Sequence, residues 1–151
     1  MEIITIKYIN FFNVALEKVF KELFDIKTQK VGSYILRDNN RLKDITSFMK
    51  LSGDLQGGVL ISFTKEVLTH LSVKLIGGDP EDGPAIEDVA NEILNIIVGQ
   101  AKNLIAINYG EVIKLHPPGT LINPIYHPVV INEVLTLDSK LISLGAYISK
   151  D

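Results

Sequence analysis

The chain of 151 residues is 46% hydrophobic and 22% charged, carries a net charge of −3 and contains no cysteine. That length supports one globular domain, residues 1–151, with a core of its own, and the missing cysteines exclude disulfides, thiolate metal sites and thiol nucleophiles. Without a basic block no nucleic-acid partner is expected; short apolar runs and a start (Met1-Glu2-Ile3-Ile4) unlike a signal peptide predict a cytoplasmic protein with no membrane attachment.

From the N-terminus, Ile9, Phe12, Leu16, Val19, Phe20 and Leu23 recur at helical spacing while Asn13, Glu17, Lys18 and Lys21 face away. Residues 6–24 are therefore expected to form an amphipathic helix. A short strand at Val31 to Leu36 follows, closed by a turn at Asp38-Asn39-Asn40. Ile45, Ser47, Met49 and Leu51 alternate with Thr46, Phe48, Lys50 and Ser52. Turn residues 53–57 then give way to Val59, Ile61 and Phe63, the pattern of a β-hairpin.

Thr64 is placed to cap a helix that runs to Ile76 and is stopped by Gly77-Gly78. An acidic loop at 79–83 leads to Pro84, which suits the first turn of the longest helix, 85–109, with Gly110 as its stop. Strands are expected at Glu111–Leu115, Val129–Leu137 and Leu141–Ile148. The apolar last strand, with Ile142, Leu144, Ala146 and Ile148 on one face, offers a pairing edge to a second copy. This order predicts an α/β (α+β) fold: a mostly antiparallel or mixed sheet with long helices packed on one face.

The long helix carries a patterned polar stripe. Asp88, Glu92, Asn95 and Gly99 recur at i, i+4, i+7 and i+11. On a helical wheel they fall within about 60° of one another. Ile86, Val89, Ile93, Ile96, Ile97 and Leu104 form the opposite side; Ala106 extends the polar stripe, and Lys102 and Asn103 flank it. Acidic and amide side chains are common on any solvated helix face, so the stripe alone decides nothing. Gly99 costs about 1 kcal/mol in a helix interior relative to Ala. Its flat surface serves either the approach of another backbone or close packing inside the fold.

Twenty-one residues separate Asn95 from Pro117. Asp88, Glu92, Asn95 and Pro117 thus complete the pattern Asp/Ser-x3-Glu-x2-Asn-x21-Pro, which resembles the signature of the CheC/CheX family of bacterial chemotaxis phosphatases. At average residue frequencies the pattern would arise by accident in roughly one chain in several hundred. The resemblance implies a CheC-like fold and hydrolysis of the aspartyl phosphate of a CheY-type response regulator. In that reading Asn95 orients the attacking water and Glu92 docks onto the regulator's lysine. The chemistry is apt: an amide offers both a donor and an acceptor, and phosphoryl transfer depends mainly on positioning and electrostatics.

Asp88, Gly99 and Lys102 would contact the partner, although Asp88 also suits the N-terminal half of a helix. Pro117 either shapes the fold near the helix or simply ends a strand. No cofactor or metal is expected on this chain, Mg2+ belonging to the phosphorylated regulator. The motif occurs once, since Thr69 stands where a second copy at Ser62 and Glu66 needs Asn. A single copy is CheX-like and implies a homodimer. The same fold family includes flagellar switch components, so the alternative is a non-catalytic adaptor that binds a response regulator. His70, His116 and His127 lack the spacing of metal ligands, and the acidic loop lacks the alternation of a calcium site.

Overall fold

Spaced apolar side chains wind Thr5–Phe24 into the first helix, α1, in the computed structural model, which describes residues 2–37, 41–77, 85–122 and 127–150. Tyr8, Phe12, Leu16 and Phe20 are fully buried along one side. Two positions differ from the helical-spacing expectation: Asn13 is buried, and Leu23 is 42% exposed. At the C-terminus Asp25 turns left-handed (φ 53°) and the Ile26 N–H reaches back to the Phe20 carbonyl. That Schellman-type closure sends Phe24 inward in place of Leu23.

The remaining elements follow in order: β2 (Gln29–Leu36), β3 (Ile45–Gly53), β4 (Gln56–Phe63), α2 (Lys65–Ile76), α3 (Ile86–Tyr109), β5 (Ile113–Leu115), β6 (Gly119–Thr120), β7 (Val129–Leu135) and β8 (Leu141–Lys150), with a short β1 (Glu2–Ile3) ahead of α1. β7 stops before Leu137 because a 3-10 turn at Leu137–Ser139 begins there, with Asp138 in a left-handed conformation. β5 starts at Ile113 rather than Glu111, whose side chain is turned into the protein. The expected turn at Asp38-Asn39-Asn40, Gly78, the acidic loop and Pro84 lie outside the described residues.

The strands form one sheet in the order β2-β7-β8-β4-β3-β5, with β1 beside β8 and β6 beside β3. Every pairing among the described residues is antiparallel, which settles the antiparallel-or-mixed expectation. The last strand is no edge: β8 lies between β7 and β4, so its backbone groups are already paired. The ends of the sheet path among the described residues are β2, where Val31 and Ile35 are exposed, and β5.

Alternation divides the sheet into two faces. Met49, Leu51, Val59, Ile61, Leu144 and Ile148 join the three helices in the main core. The other face carries a smaller cluster of Leu36, Leu60, Val129 and Ile131, flanked by Phe48 and Tyr147. Gly57 is obligatory at the β3–β4 turn: its φ is 136°, and a Cβ there would sit 1.8 Å from the Tyr147 carbonyl oxygen.

Candidate functional site

α3 presents its apolar back to the sheet through Val89, Ala90, Ile93, Leu94, Ile97 and Val98, all buried. Ile86, Ile96 and Leu104, expected on that side, lie at its margins and are half-buried. The helix ends where Gly110 turns left-handed (φ 66°) and its N–H closes on the Ala106 carbonyl. With the back fixed, the polar stripe must face outward. Asp88, Glu92 and Asn95 are exposed; Gly99 and Lys102 are half-buried. None of the side chains of Asp88, Glu92, Asn95 and Lys102 has a hydrogen bond or ion pair among the described residues. Glu87 and Asp88 in the first turn also complement the positive end of the helix dipole.

A Cβ placed on Gly99 would meet nothing within 4 Å. The internal-packing reading of this glycine therefore falls, and the stripe has a flat, open spot one turn beyond Asn95.

Pro117 is not among these residues. It is exposed and lines a cleft of about 760 Å³ on the sheet face away from the helices, with Phe48, Gly58 and Tyr147; no stripe residue lines that cleft. The bend that opens at Pro117 runs into β6, whose Gly119 and Thr120 pair with Phe48 and Ser47 of β3. The His116 N–H bonds the Lys50 carbonyl before the bend, and the Leu121 N–H bonds the Thr46 carbonyl after it.

One contact beside the stripe has no counterpart in the sequence reading. The Ser47 hydroxyl donates to Asn91 Oδ1 at 2.5 Å, joining β3 to α3 immediately before Glu92. The available signal was Ser47 itself, a polar residue in the alternating row of Ile45, Met49 and Leu51.

Just past α3, the Glu111 carboxylate accepts hydrogen bonds from the Tyr8 hydroxyl and from Lys150 Nζ, the latter at 2.7 Å. Burial pushes the Glu111 carboxyl up, but the Lys150 and Tyr8 donors outweigh it and hold the group below the usual carboxylate range. Burial and the Glu111 contact together push the Tyr8 phenol well above its ordinary value. The cluster ties α1, the exit of α3 and β8 together.

His70 is exposed, His116 Nε2 lies 2.9 Å from the Ser52 hydroxyl, and His127 stacks on Tyr147. Among the described residues no group of three or more His, Cys, Asp or Glu side chains is placed to hold a metal ion. Among them, too, no helix is long and apolar enough to cross a membrane.

A family model described as chemotaxis phosphatase CheX matches residues 45–127. No curated protein matches the chain. Solved structures match it along almost their whole length. A CheC-like superfamily protein from Shewanella sp. PV-4 superposes with a TM-score of 0.81 at 19% identity, over 97% of this chain and 99% of that one. Chemotaxis protein CheX from Vibrio vulnificus gives 0.80 at 17% identity, over 95% and 99%. A CheX-CheY-BeF3-Mg2+ complex from Borrelia burgdorferi gives 0.70 at 19% identity, over 95% and 98%. At these identities the likeness establishes the CheC-like fold. Since the family model covers more than half of the 151 residues, including α3, its stripe and Pro117, this chain belongs to the family of chemotaxis phosphatase CheX.

Proposed function

We propose that this protein hydrolyses the aspartyl phosphate of a CheY-type response regulator by inserting the stripe of α3 into the regulator's active site. The observation that carries this reading is the pairing of Glu92 and Asn95, one turn apart, exposed, and without partners among the described residues. Structural side chains normally satisfy their polar atoms within the fold or lie scattered; these two stand together on a rigid element. The match to a CheX complex with CheY adds a partner of the right class for a CheX-like fold.

The chemistry asked of this chain is small. An acyl phosphate is already activated, and the regulator contributes its own lysine and Mg2+; this chain binds no cofactor. Asn95 accepts a hydrogen bond from the attacking water through its carbonyl oxygen, without taking the proton, and so steers the water's lone pair toward phosphorus. The water oxygen bonds to phosphorus as the bond to the aspartate oxygen breaks, leaving a free carboxylate and inorganic phosphate. Glu92 pairs with the regulator's lysine and fixes the register of the helix. Asp88 and Lys102 contact the regulator on either side, and Gly99 lets its backbone approach.

The test is loss of phosphate from a phosphorylated CheY-type regulator in Mg2+ buffer. Wild type should accelerate it, and Asn95→Ala should lower kcat about 10²-fold. Binding without acceleration would leave the adaptor role instead. The homodimer is likewise proposed, with sedimentation as its measure. β8 being internal, any sheet pairing in it would have to use another strand.

A further inference from the structure

Ser47 is 1% exposed on the helix-covered face of β3, between Ile45 and Met49. Its bond to Asn91 is the side-chain hydrogen bond that joins α3 to the sheet among the described residues. Apolar packing is non-directional and resists the rolling of a helix about its own axis weakly. A hydrogen bond has narrow distance and angle requirements, so it selects one roll angle. Asn91 is well placed for this because it immediately precedes Glu92 and stands one turn before Asn95.

Ser47 is itself held on both sides. β3 pairs it with Ile61 of β4 and with Thr120 of β6. β6 is delivered there by the bend that opens at Pro117. A continuous chain of contacts therefore runs from Pro117 through β6 and Ser47 to Asn91, and so to the stripe. It supplies a physical reason for a remote proline to belong with residues whose cleft it does not share.

We infer that Asn91 and Ser47 are positioning residues for hydrolysis: their hydrogen bond sets the rotational phase of α3 and with it the reach of the Asn95 amide toward the reacting water. This rests on the phosphatase reading above and assigns it two residues that make no contact with the phosphate. A displacement of 1 Å at a reacting group can cost about 10²-fold in rate, so a partial loss of alignment is expected to cost about tenfold.

The experiment is steady-state hydrolysis of the phosphorylated regulator by Ser47→Ala, Asn91→Ala, the double variant and Asn91→Asp, each with a thermal unfolding curve. Each alanine variant should lose about tenfold in kcat with KM within about twofold of wild type. The double variant should be no worse than either single one, since both remove the same bond. Asn91→Asp keeps the acceptor oxygen and should keep most of kcat. In an Asn95→Ala background, Asn91→Ala should cause no further loss. An active wild type whose alanine variants keep full kcat would overturn this inference alone. Losses that follow the unfolding temperature across the set, with no rescue by Asn91→Asp, would overturn it as well. A wild type inactive on every phosphorylated regulator tried would instead bring down the phosphatase reading, and this inference with it.

Discussion

At the scale of single residues, Gly99 gives the sharpest expectation. A Cβ there enters open space, so Gly99→Ala should stabilise the protein by about 0.5–1 kcal/mol through helix propensity alone. The same methyl group should raise KM for the regulator if a partner backbone seats on that spot. A melting curve and a KM measurement read the two effects separately, and an unchanged KM would remove Gly99 from the contact surface. Glu111 predicts a pH dependence. Its folded-state pKa lies below its ordinary value of 4.5, so it contributes stability above that pH and loses it as pH falls through the lowered value. Glu111→Gln should therefore flatten the loss of stability on acidification below about pH 4.5, checked by urea titrations at pH 3 to 6. Residue-scale legibility followed from the same geometry. The stripe could be read because i, i+4, i+7 spacing is a local property. The Glu111, Tyr8 and Lys150 cluster could not, because it joins positions more than a hundred residues apart in the case of Tyr8 and Glu111.

At the scale of elements, helix signals were mostly local and strand signals only partly so. Thr64 was readable as the N-cap of α2, and its side chain does accept from the Val67 N–H at 3.3 Å. Thr64→Ala should cost about 1 kcal/mol, seen as a lower urea midpoint with an unchanged slope. The second cap of the same helix was invisible in sequence: Asp44, just before β3, accepts from the Lys65 N–H at 2.8 Å. Gly110 and Thr64 fixed helix ends to within a residue because capping is a contact between chain neighbours. β1 and β6 were missed because two-residue strands have no periodicity to detect; pairing with β8 and β3 is what makes them strands. The exposure of Leu23 arose in the same way, from a turn formed beyond the repeating pattern.

At the scale of the whole molecule, the antiparallel sheet with helices on one face was legible from the order of helical and alternating segments, whereas the strand order was not. The order depends on β8, which the sequence marks as an apolar strand and a pairing edge and the fold places between β7 and β4. β8 also carries β1, bonds through Ile148 to the Ile4 N–H, and supplies Leu144, Ala146 and Ile148 to the core under the helices. A chain ending at Lys140 should therefore lack cooperative unfolding, measured by far-ultraviolet circular dichroism against temperature; a sharp transition in that truncated chain would refute the central role given to the strand.

The place of β8 has a consequence in time. Residues 141–150 leave the ribosome after every other described strand, yet β4 and β7 meet only through them. During synthesis α1 has an incomplete floor to settle on, and the inner edge of β4 waits unpaired while residues 64–140 are made, whereas that of β7 waits only for residues 136–140. Non-local closure of this kind is slow and leaves sheet edges open to other chains. β8 thus sets the hour at which the inner edge of β4 stops being sticky, and the interval before it is when a holding chaperone would matter most.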